Sequence, residues 1–416
     1  MTAPRTPLWR NADYMLLWGG QVVSTLGSTA STIIYPLLIL ALTGSPSDAG
    51  IAGALRALPY LVLSLPVGAL VDRWDRKRVM ILCDVGRAIA VASIPAAMAF
   101  DALTVGQVYA VSLIEGSLFV FFNIAEVAAL PRVVPAAQLP EAAAQNEAGF
   151  GAANIVGPSF GAFLYQAFGR GVPFLVDALT YAVSVLSLLR IRAPFTSAAA
   201  RRGERVPERR DLRSEVAEGL AWLWANPLIR FMAFITGGTN LVGAAAPLLL
   251  IVLAKELGAR DAEIRVIFSA AGVGGIVGSL VGGRIQKRFA FGTVIVALMW
   301  GMAVLFPLYA IAPSWPVLGA IGALLFFLSP IYNVVQFSYR LALIPDRLQG
   351  RVNSTFRLIC FGLMPVGAAL SGFLLERFGT GPTIAVFSAW LAALAVLTTV
   401  NRHVRHAPPL AKAMAA

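Results

Sequence analysis

The chain has 416 residues, 58% hydrophobic and only 13% charged, against about 25% charged in an ordinary soluble domain. That balance excludes a water-soluble globular enzyme and predicts a polytopic helical membrane protein. The net charge of +12 sits in short loops between apolar stretches, so no nucleic-acid partner is expected.

Trp9-Arg10-Asn11-Ala12-Asp13 leads straight into an apolar stretch longer than a signal-peptide core, so no cleavable leader is expected. About 20 apolar residues are needed to cross a bilayer. By that rule twelve spans are predicted, near 15–42, 49–71, 79–100, 105–130, 141–167, 172–192, 227–254, 262–283, 290–311, 316–341, 352–376 and 381–400. An Arg-rich polar stretch, 193–226, separates the sixth from the seventh. The predicted organisation is therefore a six-helix bundle at 1–192, a linker at 193–226, a second six-helix bundle at 227–401 and a basic tail at 402–416 that reads as disordered. In the linker, Leu212, Val216, Leu220 and Leu223 recur at helical spacing and predict an amphipathic helix lying on the membrane surface.

Orientation follows from Lys and Arg. With the N-terminus in the cytoplasm, only Arg170, Lys255, Arg260 and Arg377 fall in outer loops, while Arg56 and Arg265 lie inside spans near the outer end. Both termini are expected to be cytoplasmic. Cys83 and Cys360 lie in apolar spans and predict no disulfide. His403 and His406 are both in the tail, so no metal and no cofactor are expected.

Between the second and third spans runs Gly68-Ala-Leu-Val-Asp72-Arg73-Trp74-Asp75-Arg76-Lys77-Arg78. Its charges cannot stay in hydrocarbon, which makes it a short loop at a membrane face. The second half repeats the first at one fixed offset: Gly68 matches Gly278, Lys77 Lys287, Asn123 Asn333, Glu126 Gln336, Pro135 Pro345 and Phe163-Leu164 Phe373-Leu374. Two parallel-duplicated halves are a known transporter arrangement.

The loop resembles the signature between helices 2 and 3 of the major facilitator superfamily, departing at Asp75 where that family usually has Gly. Trp9-Arg10-Asn11, Arg56-Ala-Leu-Pro59, Phe121-Phe-Asn123 and Gly350-Arg-Val352-Asn-Ser-x-x-Arg357 are similar to the drug:proton antiporter branch that includes macrolide and enterobactin exporters. In span five, Gly157-Pro158-Ser-Phe-Gly161-Ala162 resembles that branch's antiporter motif, with Ala162 in place of a Gly. As plain physics it is a kinked packing helix. The resemblance implies that it limits leak. It also implies that Gly68 and Asp72 form a gate whose natural counter-charges are Arg73, Arg76 and Arg357.

Polar groups inside spans are costly and mark candidate function. Glu115 and Glu126 share one face of span four about 16 Å apart, with Phe119 and Phe122 between them. Glu115 lies near mid-membrane, where a poorly solvated carboxyl could hold a proton in one state and release it in another. A permanent structural hydrogen bond is the alternative. Related antiporters often carry an R-x-x-Q-G motif in span four; here Ser112, Glu115 and Gly116 occupy those places, so the cation must come from elsewhere. Arg56 or Arg265 is the source, with Asp177 of span six as a possible partner of Arg56, and Asp84 and Arg87 could join the loop network. Span one carries a polar stripe, Gln21, Ser24, Thr25, Ser28, Thr32 and Tyr35. Span seven adds Thr236 and Asn240, and span ten Tyr332, Asn333 and Gln336. The resemblance implies that spans one, four, seven and ten line a substrate cavity.

Gly272-Val-Gly-Gly275-Ile-Val-Gly278 superficially matches a nucleotide loop, but it lies inside a span and reads as helix packing. No HExxH or Walker lysine loop is present. The expected protein is a monomeric, bilayer-embedded secondary transporter of a bacterial inner membrane, exporting small amphipathic organic molecules (drug-, antibiotic- or siderophore-like) by proton antiport with alternating access. Uptake or a proton-independent carrier is the alternative, and a membrane receptor or enzyme the remote one.

Overall fold

The computed structural model describes residues 7–32, 34–71, 74–135, 138–195, 212–344, 349–405 and 407. Every regular element among them is helical. In chain order these are α1 (Ala12–Thr32), α2 (Ile34–Thr43), α3 (Pro46–Val71), α4 (Arg76–Ala99), α5 (Val105–Val133), α6 (Leu139–Phe168), α7 (Val172–Arg190) and α8 (Leu212–Ala225). They are followed by α9 (Pro227–Glu256), α10 (Asp261–Arg288), α11 (Phe291–Leu305), a 3-10 stretch (Phe306–Ile311), α12 (Trp315–Leu343), α13 (Gln349–Gly362), α14 (Met364–Phe378), α15 (Thr380–Val400) and the short α16 (Arg402–Arg405). Ten stretches among the described residues are long and apolar enough to cross a membrane.

Packing divides the chain into two compact units, residues 1–38 with 58–212, and residues 39–57 with 213–416. The segment 39–57 follows the second half of the chain for a local reason. Glu376 of α14 accepts hydrogen bonds from the Ser45 hydroxyl at 2.6 Å and from the Ser47 amide at 2.9 Å. Gly50 and Gly372 meet there with no room for a side chain on either.

In the first unit, α1 packs on α6 and α7, and α4 packs on α5 and α7. The α1–α6 seam explains the small residues of the antiporter-like motif. A methyl group at Gly157 would overlap Thr29, and one at Gly161 would overlap the Ala30 carbonyl. Thr29 also donates to the Ala153 carbonyl at 3.0 Å. Close backbone approach of this kind is how helices associate without a hydrophobic driving force. The start of α1 is pinned by side chains: Asp13 accepts from the Arg192 and Ala193 amides, both at 3.0 Å, and Asn11 donates to the Val133 carbonyl at 2.7 Å.

Asp75, the departure from the usual glycine, has a role here. Its carboxylate accepts from the Lys77 and Arg78 amides and caps α4, satisfying donors that a helix start otherwise leaves open.

The second unit is built on α10 against α12, α9 against α13 and α14, and α11 against α15. Gly274 and Gly278 face the Ala323 and Phe327 carbonyls of α12, so the glycine-rich run is helix packing as expected. The linker helix is present as α8; Leu223 on it is buried and Leu220 is exposed. The described start of the tail departs from the expectation of disorder. Residues 402–405 form a helical turn that buries Val404, whose carbonyl sits against Gly292 of α11.

Candidate functional site

The densest buried polar cluster described lies in the first unit, where α1, α2, α4, α5 and α7 converge. Glu115 is 1% exposed. Its Oε2 accepts from the Tyr35 hydroxyl at 2.9 Å and its Oε1 from the Tyr181 hydroxyl at 3.2 Å. Tyr181 also shares a 2.7 Å hydrogen bond with Ser28. Asp177, fully buried, accepts from Ser31 at 2.6 Å and from Ser28 at 3.4 Å.

Arg87 of α4 is a cation that meets Glu115. Its Nη2 stands 4.0 Å from Glu115 Oε1 and donates to Ser28 Oγ at 3.4 Å, while its Nη1 stands 3.6 Å from Asp84. The guanidinium lies over the Tyr181 ring, 4.1 Å from its centroid, and 5.6 Å from that of Phe119. Rings at this range attract a desolvated cation by about 2 kcal/mol. Spacing along the chain suggests that Asp84 and Arg87 join the loop network. Both are instead buried in the helix core, because i, i+3 spacing turns them to the face that α5 and α7 cover.

The other predicted residues divide clearly. Ser28 and Tyr35 of the span-one stripe join the cluster, while Gln21 donates to Ser184 of α7 at 3.4 Å. Thr32 is exposed and donates to the Ser28 carbonyl. Thr25 contributes its carbonyl to Thr29. Phe122 is core, while Asn123 and Glu126 are half-buried on α5. Arg56 lies in the segment 39–57 of the second unit and is half-buried.

In the second unit Thr236, Tyr332 and Gln336 form a buried neutral triad. Thr236 and Tyr332 hydroxyls are 2.7 Å apart, and Gln336 donates to Thr236 at 3.3 Å. Asn240 donates to the Cys360 carbonyl at 3.0 Å, and Asn333 is exposed.

Of the gate residues, Gly68 lies within α3, and Asp72 and Arg73 fall outside the described residues. Arg76 is buried and donates to the Ala128 carbonyl of α5 at 3.0 Å. Arg357 is half-buried on α13, with Phe361 5.8 Å from its guanidinium carbon.

Tyr181, Ser31 and the central place of Arg87 escaped the sequence reading. The rule that flagged Glu115, a charge inside an apolar span, also flags Asp84-x-x-Arg87.

The Major Facilitator Superfamily sequence pattern matches residues 17–245. The chain belongs to that superfamily. It is a multi-pass transporter of the bacterial cell membrane, not an enzyme. Its relatives include the multidrug efflux pump Tap of Mycolicibacterium fortuitum, 26% identical over 93% of this chain and 95% of that protein. Macrolide efflux protein A of Streptococcus pyogenes is 25% identical over 95% of this chain and 97% of its own length. Among solved structures, the nucleoside transporter NupG (D323A mutant) superposes with a TM-score of 0.71 at 14% identity, covering 92% of this chain and 99% of that one. The human organic anion transporter MFSD10 gives a TM-score of 0.65 at 17% identity, over 94% and 100%. These structural likenesses show that this superfamily member shares their fold.

Proposed function

We propose that this superfamily member exports small amphipathic organic molecules, drug-, antibiotic- or siderophore-like, by proton antiport with alternating access. The observation that carries the reading is Glu115: a carboxyl buried in the span-four helix, held by two tyrosines from two other helices and facing Arg87. A buried intramembrane acid is costly and typical of proton relays. That the relative Tap is a multidrug efflux pump and the other a macrolide efflux protein supports export of organic molecules.

In this reading the chain crosses the membrane twelve times with both termini in the cytoplasm, as bundles at 1–192 and 227–401, a linker at 193–226 and a tail at 402–416. It works as a monomer. Glu115 carries the proton, and Asp177, Arg56 and Glu126 are further coupling candidates. Substrate contact falls to Gln21, Thr25, Ser28, Thr32, Tyr35, Phe119, Phe122 and Asn123, and to Thr236, Asn240, Tyr332, Asn333 and Gln336. Gly68, Asp72, Arg73, Arg76 and Arg357 gate the path, and Gly157, Pro158 and Gly161 limit leak.

The test is ethidium transport in proteoliposomes under an imposed pH gradient, comparing the wild type with Glu115→Gln. Uphill ethidium movement by the wild type and mere equilibration by the variant is the expected result. Identical uphill transport by both proteins overturns Glu115 as the coupling group. Ethidium movement unaffected by the gradient overturns antiport and favours a proton-independent carrier.

A further inference from the structure

The arrangement around Arg87 has features that its role as a simple counter-ion does not explain. Its guanidinium stands between two carboxylates, 3.6 Å from Asp84 and 4.0 Å from Glu115. Both distances exceed the roughly 2.7–2.9 Å of a fully formed charge-assisted hydrogen bond. Among the described residues, Arg87 Nε and both Asp84 oxygens are buried without a hydrogen bond of ordinary geometry, although the Ser184 hydroxyl of α7 stands close to the Asp84 carboxylate. Asp84 is 0% and Arg87 4% exposed. Buried polar groups are normally satisfied, and each exception calls for an explanation. Here three unsatisfied atoms belong to one ion pair, one helical turn apart on α4, which faces the Glu115 cluster.

We propose that Asp84 and Arg87 act together as the element that sets the proton affinity of Glu115, a single guanidinium being shared between the two carboxylates. This rests on the reading of Glu115 as the proton carrier. When Glu115 is ionised, Arg87 is drawn toward it and away from Asp84. When Glu115 takes a proton, the guanidinium is left to Asp84, one turn away on its own helix. The slack in both contacts keeps the two arrangements close in energy, which a carrier that must load and unload requires. The ring faces of Tyr181 and Phe119 hold the cation between the acids without supplying a competing charge. Asp84 is thus a positioning residue that acts through Arg87.

Other titratable groups face this pair. Cys83 neighbours it on α4, Asp177 and Tyr181 come from α7, Glu115 from α5, and Tyr35 of α2 reaches Glu115. Asp177 is engaged by Ser28 and Ser31, and both tyrosines donate to Glu115.

The experiment is infrared difference titration of the full-length protein in lipid nanodiscs, following the carboxylic acid C=O band that disappears in Glu115→Gln. No transported ligand is needed. Asp84→Asn removes the rival carboxylate at constant shape, so the pH at which the Glu115 band is half lost falls by about one to three units. Arg87→Gln removes the shared cation, and that pH rises by a similar amount. The double variant Asp84→Asn/Arg87→Gln returns close to the wild-type value. Should Arg87→Gln not fold, Arg87→Lys replaces it. Its compact ammonium cannot bridge both acids, and the half-loss pH rises by less.

Opposite shifts and their cancellation are what a merely structural role would not produce. Shifts in one direction, or no shift, overturn the role of Asp84 and Arg87 while leaving Glu115 as the proton carrier. A titration in which Glu115→Gln removes no band overturns the proton-carrier reading itself.

Discussion

Replacing Gly161 by Ala tests the seam between α1 and α6. A Cβ built on Gly161 lies 2.7 Å from Ala30 Cα and closer still to the Ala30 carbonyl. Carbon atoms in ordinary contact stand roughly 3.5–4.0 Å apart, so the helices must part by about 1 Å. The obstructing atoms are backbone and cannot rotate away. Overpacking of this kind costs about 1–3 kcal/mol. The exchange also brings a helix-propensity gain of about 1 kcal/mol, which a control on the same helix removes. Gly151 has open space where its Cβ would be, so Gly151→Ala carries the gain alone, and the difference between the variants isolates the overlap. Thermal unfolding of the two purified proteins measures it. Gly161→Ala is expected to melt well below Gly151→Ala, and equal stability refutes the close-approach account. At Gly157 the obstruction is the Thr29 side chain, so Thr29→Ala partly relieves Gly157→Ala and leaves Gly161→Ala unrelieved.

Asp75→Ala deletes the cap of α4 and lowers stability by about 1 kcal/mol; a Tm no lower than wild type contradicts the capping role. Asp13→Ala leaves the Arg192 and Ala193 amides without their acceptor. The expected result is faster proteolysis after α7, read by limited digestion, with α1 itself intact. Tyr332→Phe keeps the ring but removes the hydroxyl that meets Thr236 at 2.7 Å, costing about 1 kcal/mol. If Tyr332 instead serves only the substrate, its loss weakens ligand binding with Tm unchanged. Tyr35→Phe removes a 2.9 Å hydrogen bond from Glu115 at constant volume, and slows gradient-driven ethidium transport without altering the fold.

Much of the helical layout was legible because apolar length and flanking charge are local properties. The stretches predicted at 105–130 and 172–192 became Val105–Val133 and Val172–Arg190. Glu115 is legible as an acid near the middle of an apolar span. Its partners were less so, since Tyr181 and Ser31 become significant only when α1, α5 and α7 meet, and no spacing along one helix reveals that. Sequence adjacency alone points Arg87 toward the neighbouring loop, because the burial of α4 under α5 and α7 is a property of packing and not of spacing. Asp75 looked like a defect in a motif; the motif describes a turn, whereas the residue's work is at the helix start it precedes. The basic tail was read from composition alone, which carries no trace of Val404 filling a place against Gly292.

The two units bury polar clusters of different kinds. The second unit's triad of Thr236, Tyr332 and Gln336 is neutral, whereas the first unit gathers Asp84, Arg87, Glu115 and Asp177. A membrane voltage does work only on charge, about 2.3 kcal/mol per elementary charge per 100 mV. The triad is therefore electrically silent wherever it sits, while each proton gained or lost by the acidic cluster changes the charge that the field can act upon. On the antiport reading, a proton-linked change of charge belongs to the first unit's cluster, while the second unit's buried Arg340 keeps a constant charge.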